Sequence, residues 1–177
     1  MNKIEILFDP KLLIEDDTVK LRIVSLDDIQ QLKKIAFEPS LWKYFTTELN
    51  NEEELVRYVE NCIADFYHKK VVPFVIIDKK NATLVGMSSF GNIFITDGRI
   101  EIGWSWLGKD SQGTGINAAY KKLLLSFAFD KLGFERVEFK TDVLNQKARK
   151  ALLKIGATEE GVLRSHTLMP HNRRRDT

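Results

Sequence analysis

The sequence predicts one domain of mixed helices and strands, because helical and strand-like patterns alternate along its 177 residues. Val19 to Val24 alternates apolar and charged residues, as a strand with one buried face does. The segment 116–127 instead places its apolar residues on one helical stripe. Between that helix and a strand-like run ending at Leu107 lies a glycine turn, S-Q-G-T-G-I-N, at residues 111–117. Composition and spacing therefore indicate an α/β domain with a loop suited to phosphate.

The first half of the chain carries signals for two helices and a strand meander. Ser25 and Asp28 form an acidic variant of the capping box, so a short helix should begin there and end near Pro39. Asn51 precedes three glutamates, a pattern typical of a helix start because negative charge is favourable in the first turn. Strands are then predicted at Phe74 to Asp78, Thr83 to Phe90 and Arg99 to Trp106.

The third of these strands has two faces that differ in chemistry. Strict alternation gives one face Ile100, Ile102, Trp104 and Trp106, and the other face Glu101, Gly103 and Ser105. The pattern therefore predicts that the only carboxylate of the strand points away from the two tryptophans.

The second half predicts two helices and two strands. The helix after the glycine turn carries the stripe and should end at Gly133. Asn145 should cap a final helix, which Gly156 ends. Strands are predicted at Arg136 to Val143 and at Thr158 to Arg164.

The composition excludes several classes of protein. A hydrophobic content of 44% is enough for one core at this length. Cys62 is the only cysteine, so an intrachain disulfide and a cysteine-rich zinc site are excluded; in its amphipathic segment we expect it to pack in the core. No apolar run approaches the roughly 18 residues of a membrane helix. The amino terminus lacks a signal-peptide pattern, so we expect a cytoplasmic protein.

The charge distribution gives little indication of a nucleic-acid partner. The formal net charge is only +2. One basic cluster, Arg173 to Arg175, has no aromatic residues interleaved and no nucleic-acid-binding motif around it. We therefore expect a solvated or substrate-facing stretch there.

Three phosphate-binding motifs compete for the glycine turn. The Walker A motif requires Gly-Lys-Ser/Thr, which is missing after Gly113. The dinucleotide fingerprint fits at Gly113, Gly115 and Ala118, but it normally opens a series of βαβ units, and little chain follows here. The third pattern is Q-x-x-G-x-G/A, with Gln112 and Gly115 in place and Asn117 at the last position.

This third pattern resembles the acetyl-coenzyme A loop of the GCN5-related N-acetyltransferase (GNAT) superfamily. E-I-G-W-S-W-L-G from Glu101, Q-G-T-G-I-N from Gln112, and the run from Leu132 to His166 are similar to the ribosomal-protein N-terminal acetyltransferase branch. The resemblance covers roughly residues 18–176, most strongly in the second half. It implies an α+β, three-layer GNAT fold: a mixed, mostly antiparallel central sheet flanked by helices, with acyl-coenzyme A in a splay between two central strands.

The resemblance also implies a domain boundary and a donor. Residues 1–177 would form a single acetyltransferase domain that lacks the family's last strand, because that strand follows the motif that here reads R-R-R-D-T. Acetyl-coenzyme A would be the acyl donor, with no metal involved. Its contacts would come from Trp106, Leu107, Gln112, Gly113, Thr114, Gly115, Ile116, Asn117 and Asn145.

Two positions depart from the family pattern. Asn117 stands where the loop usually ends in glycine or alanine, and its side chain could cap the helix or contact a phosphate. Ala148 stands where relatives often place a hydroxyl near the departing thiol. Because a thiol with a pKa near 8.5 leaves without obligatory protonation at neutral pH, losing this hydroxyl need not abolish activity.

Enzymes of this type hold the thioester and the amine together for direct attack, so an amine must lose its proton. Glu101 is the first candidate for the general base, because strand parity turns it away from the tryptophan face. His166 is the second, since an imidazole titrates near neutral pH. Tyr120 is a candidate acid, although its helix stripe favours core packing. A backbone amide near Trp106 or Leu107 would stabilise the oxyanion.

Several alternatives stay open on the sequence alone. The acceptor could be a peptide N-terminal amine or a small molecule such as a polyamine, an aminoglycoside or an amino acid. The chain could also bind or sense coenzyme A without catalysis, or associate with ribosomes or RNA through its terminal arginines. A homodimer is compatible with the sequence, and membrane association is not expected.

Overall fold

The computed structural model describes residues 2–177 and contains one six-stranded sheet and one two-stranded sheet. In the large sheet the strands lie in chain order, and every neighbouring pair is antiparallel except the last, β5 with β6. The strands of this sheet are β1 Leu13–Glu15, β2 Val19–Ile23, β3 Val72–Asp78, β4 Thr83–Phe94, β5 Arg99–Leu107 and β6 Arg136–Glu138. The small sheet pairs β7, Thr167–Leu168, with β8, Arg174–Arg175.

The described residues form six α-helices: α1 Lys3–Leu7, α2 Ile29–Ala36, α3 Pro39–Trp42, α4 Glu52–Tyr67, α5 Ile116–Ser126 and α6 Gln146–Lys154. The predicted capping box of Ser25 and Asp28 opens a 3-10 turn that leads into α2. Asn51 caps α4 as predicted, and its side chain accepts a hydrogen bond from the Glu54 amide at 2.9 Å. Within the described chain, no helix combines the length and the apolar character that a membrane crossing requires.

Each face of the sheet has its own hydrophobic core. The first core includes the α5 residues Ile116, Tyr120 and Leu124. The second includes residues of α2 and α4 together with Trp42. Cys62 packs against this second core, and burial raises the pKa of its thiol to about 12, as the predicted packing role requires.

The strict alternation predicted for β5 is wrong beyond Gly103. Ser89 faces Gly103 and Met87 faces Trp106, so β5 accommodates an extra residue between these pairs. The irregularity is at Trp104, whose φ of 52° is in the left-handed region. Trp104 is 41% exposed, whereas Trp106 packs in the second core, opposite the first core that holds Ile100 and Ile102. Glu101 and Trp106 therefore share a face of the sheet.

The strands β5 and β6 separate shortly after they meet. Their parallel pairing covers only Arg99 to Glu101 on β5 and Arg136 to Glu138 on β6. β5 then continues to Leu107, whereas the predicted strand Arg136 to Val143 ends at Glu138. A splay opens between them, and this one parallel pair differs from the series of βαβ units that a dinucleotide fold requires.

The predicted strand Thr158 to Arg164 is also wrong. Residues 158–163 run irregularly, and the pairing strand β7 begins only at Thr167. Across from β6 the segment is joined by a side-chain ion pair, Arg136 with Glu160, instead of a backbone ladder. A groove of about 830 Å³ separates the two, lined by apolar residues such as Val137, Leu153 and Val162.

Candidate active site

The glycine turn presents a row of free backbone amides. Gly113 and Gly115 have φ values of 80° and 97°, which glycine adopts without strain. Among residues 2–177, the N–H groups of residues 113–117 meet no acceptor; the first helical bonds are those of Ala118 and Ala119 to the Gly115 carbonyl. An added Cβ at either glycine would meet no atom within 4 Å, so the backbone is open to a ligand. This geometry suits the oxygens of a phosphate group.

Two polar side chains fix the shape of this turn. Gln112 donates to the Leu107 carbonyl at 3.0 Å and accepts a hydrogen bond from Lys147 of α6 at 2.5 Å. Thr114 donates to the Ser111 carbonyl at 2.8 Å. Gln112 therefore links the end of β5 to the turn and to α6, which makes it a positioning residue.

A cavity of about 430 Å³ occupies the splay between β5 and β6. Of the residues predicted for the site, four line it: Glu101, Asn117, Asn145 and His166. The other predicted residues lie outside its lining: Trp106, Leu107, Gln112, Gly113, Thr114, Gly115, Ile116 and Tyr120. Asn117 lies in the first turn of α5, so the cavity reaches the helix end that carries the free amides.

Glu101 is the one carboxylate among the residues that line this cavity, and it is enclosed. It is 5% exposed, and its Oε2 accepts a hydrogen bond from Asn92 Nδ2 at 2.8 Å. The same oxygen forms an ion pair with Lys140 from the other side of the splay. Asn92 has a φ of 45°, a conformation that asparagine tolerates better than most residues. Sequence patterns missed both partners, because neither is near Glu101 in the chain.

Tyr120 belongs to the first core. It is 1% exposed, and its hydroxyl donates to Asn117 Oδ1 at 3.1 Å. The phenol therefore orients the side chain of Asn117, which faces the cavity. A role as acid was a prediction from sequence, and core packing accounts for the observed position of the ring.

The remaining predicted residues have distinct positions. Asn145 caps α6 as predicted and accepts from the Ala148 amide at 3.1 Å, and Ala148 offers only a methyl group to the cavity. Leu107 and Ile116 are buried in the first core, and Trp106 contacts the ring of Trp42 with 5.3 Å between centroids. Only the backbone of Trp106 and Leu107 is therefore left for a donor molecule.

The far wall of the cavity comes from two distant segments. Residues 44–46 and two residues of the C-terminal hairpin, His166 and Arg175, line it. Arg175 lies 3.5 Å from the Tyr44 carbonyl, and burial lowers the pKa of its guanidinium. The His166 ring is exposed and lies 3.2 Å from the Thr167 hydroxyl. An ion pair between Arg173 and the fully buried Asp142 fixes the hairpin to the rest of the domain.

The acidic and histidine side chains give no indication of a bound metal. Within residues 2–177, no group of three or more His, Cys, Asp or Glu side chains is placed to hold an ion.

Comparison with known proteins agrees with this geometry. The family described as acetyltransferase (GNAT) domain matches residues 18–158. The Bacillus subtilis strain 168 protein named "Putative ribosomal N-acetyltransferase YdaF" is 36% identical over 156 residues, which are 84% of this chain and 82% of that protein. "Uncharacterized N-acetyltransferase p20" of Bacillus licheniformis is 25% identical over 85% of this chain and 84% of its own.

The fold has counterparts among solved structures. A GCN5-related N-acetyltransferase from Brucella melitensis superposes with a TM-score of 0.86 at 21% identity, over 95% of this chain and 76% of that one. At this level of identity the superposition establishes the fold alone. The family match over residues 18–158 and the 36% identical relative show that the chain belongs to the GNAT acetyltransferase family and uses acetyl-coenzyme A as donor.

Proposed function

We propose that this protein transfers the acetyl group of acetyl-coenzyme A to the N-terminal α-amine of a protein. The observation that carries the proposal is one cavity that extends from Asn117, in the turn of α5 that carries the free amides, to the enclosed carboxylate of Glu101. The name of the 36% identical relative, a ribosomal N-acetyltransferase, supports a protein acceptor.

The donor end of the site would bind the cofactor through backbone groups. The amides of residues 113–117 have no acceptor among the described residues and lie at the positive end of the α5 dipole, so they suit the pyrophosphate. Asn117 and Asn145 would contact the arm that enters the splay, and the backbone of Trp106 and Leu107 would face the thioester. Bound in this way, acetyl-coenzyme A supplies an activated acyl group.

The acceptor end would prepare the amine. At pH 7 about a tenth of an α-amine with a pKa near 8 is already neutral, against less than about a thousandth of a lysine amine. Glu101 would accept the proton that the neutral amine loses when it attacks the thioester, directly or through a water molecule, while Asn92 and Lys140 keep its carboxylate in place. His166 is the second candidate for this step because it lines the same cavity. Positioning of the two substrates would provide much of the rate.

The decisive experiment is a turnover assay with acetyl-coenzyme A and a panel of amines, followed by thiol release. The panel contains peptides with free N-termini, the same peptides with blocked N-termini and an internal lysine, polyamines, aminoglycosides and amino acids. We expect free N-termini to react at least 100-fold faster than the blocked peptides. Faster turnover of a small molecule would show that the acceptor is that small molecule and not a protein N-terminus. Tight cofactor binding without any turnover would favour a coenzyme A-binding module.

A further inference from the structure

One charged residue of the cavity has no role in the steps above. Lys121 of α5 is only 7% exposed and lines the cavity. Its ammonium makes no ion pair or hydrogen bond to any of the residues 2–177. Its neighbours are two aromatic rings, with 5.1 Å to the centroid of Tyr120 and 5.3 Å to that of Phe139. A buried cation with only ring faces around it is costly unless a ligand or water compensates its charge.

The other charged and titratable groups of the cavity do not compensate this charge. They are Glu101, Lys140, His166, Arg175 and the phenol of Tyr44. The one carboxylate among them, Glu101, is already paired with Lys140. The cavity therefore contains more positive than negative charge before any ligand enters, and Lys121 is the most enclosed of its cations.

The phosphates of a bound cofactor have a different partner. They are expected at the amides of residues 113–117, and Lys121 lies four residues beyond Asn117, about 6 Å further along α5. Its ammonium lies next to the ring of Phe139, the residue that follows β6, and both residues line the cavity in the splay. α6 contributes Ala148 to the lining of the same cavity, and this side chain has no polar group to offer.

We propose that Lys121 stabilises the thiolate that leaves when the acetyl group is transferred. This inference rests on the proposed function. The amine nitrogen forms a bond to the acetyl carbon, the carbon–sulfur bond breaks, and sulfur leaves with the bonding electron pair. The amine proton goes to Glu101 or water, Lys121 keeps its own protons, and nothing is oxidised or reduced. Because the thioester is neutral and the thiolate is anionic, the ammonium interacts more strongly late in the reaction, which is what lowers a barrier.

The first test measures ionisation of bound coenzyme A and needs no turnover. Coenzyme A is bound to the wild-type protein, to Lys121→Met and to Lys122→Met, and the ultraviolet absorbance of the thiolate is followed as pH rises. Lys122 is the matched control, since it is the adjacent lysine of α5 and is exposed. We expect the bound thiol to ionise about one pH unit lower than free coenzyme A in the wild type and Lys122→Met, and to lose this shift in Lys121→Met.

The second test measures kinetics with the best acceptor. Lys121→Met should lower kcat about 10- to 100-fold, with the KM of the acceptor unchanged, because the charge acts on the leaving group. Lys121→Arg should recover part of the rate, whereas a role in packing alone would be served better by methionine. Equal thiol ionisation in the wild type and Lys121→Met would overturn the inference and leave the proposed acetyl transfer untouched. Affinity lost equally for coenzyme A and acetyl-coenzyme A, without a shift in ionisation, would also overturn it and assign Lys121 to cofactor binding.

Discussion

The two ends of the proposed site, a donor end and an acceptor end, are built in different ways. The donor end is one contiguous stretch, residues 111–117, in which a turn and a helix start supply backbone amides. The acceptor end combines side chains that are far apart in sequence: Tyr44, Asn92, Lys140 and Arg175 all lie around Glu101 or the cavity wall next to it.

The donor end depends on the backbone of the fold, whereas the acceptor end depends on the side chains of the particular sequence. Backbone amides depend on torsions, so a few glycines are enough to maintain the donor end. The acceptor end depends on side-chain identity in segments such as residues 44–46, which could change without altering the fold. One donor can therefore be combined with many acceptors on the same scaffold.

The largest effect is expected from Gly115→Glu at the donor end. A side chain at φ 97° is strained by about 1–2 kcal/mol, and its carboxylate would repel the phosphates, so acetyl-coenzyme A affinity should fall more than 100-fold. Calorimetric titration measures the affinity, and circular dichroism checks the fold. Gly156→Glu is the matched control, because Gly156 has a φ of 91° but ends α6. Unchanged affinity in Gly115→Glu would remove the loop from the site.

The next effect is expected from Glu101→Gln at the acceptor end. The amide keeps the size of the side chain but cannot accept the amine proton, so kcat should fall about 100-fold while acetyl-coenzyme A affinity stays the same. Rates are measured from pH 6 to 9, with exposed Glu135→Gln as the control. If the variant retains full activity at every pH, His166 becomes the leading candidate for the base.

How well each end could be predicted follows from the same contrast. The glycine turn, the Asn51 and Asn145 caps and the helix-ending Gly133 are all local signals, and the structure has each of them. Gly133, with a φ of 64°, follows a π-helical segment, Phe127–Lys131, that continues the helix beyond Ser126. The irregularity at Trp104 has no such signal, because a non-glycine residue with positive φ is uncommon and depends on tertiary context. Because of this irregularity, Trp106 and Ser105 lie on the faces opposite to those predicted. Glu101 precedes the irregularity and was assigned correctly to the face opposite Ile100.

The strand predictions failed in segments where backbone pairing with a neighbour, and not the residue pattern, determines whether a strand forms. The segment Arg136 to Val143 is predicted as a strand from its alternation, and Thr158 to Arg164 as a further strand, but β6 leaves β5 after Glu138 and the later segment has only a side-chain link to β6. A strand is stable when its backbone groups find a neighbour, and the alternation of a single segment does not contain that information. The position of Lys140 against Glu101 follows from this divergence and could not be read from the sequence.

A smaller effect is expected at the far wall from Arg175→Met. Arg175 is half-buried beside the Tyr44 carbonyl, so its loss should raise the KM of a peptide acceptor about 10-fold and leave acetyl-coenzyme A affinity unchanged. Arg174→Met is the matched control, because Arg174 is exposed and bonded to Ser165. Steady-state kinetics at saturating donor measures the KM. Equal changes in both variants would mean that the effect comes from the hairpin and not from the cavity.

The smallest effect is expected at Cys62. Its labelling rate tests whether the second core, which packs beneath the acceptor end, is already formed before an acceptor binds. Its thiol packs against the cluster that contains Trp42 and Trp106, and burial raises its pKa to about 12. Because the folded-state pKa lies far above 8, only about one thiol in ten thousand is ionised at pH 8, and a disulfide reagent should label the native protein at least 100-fold more slowly than the urea-unfolded chain. Adding a peptide acceptor should leave this rate unchanged if the wall is already formed. Rapid labelling that the acceptor suppresses would show instead that the acceptor end closes only on binding, in contrast to the preformed donor turn.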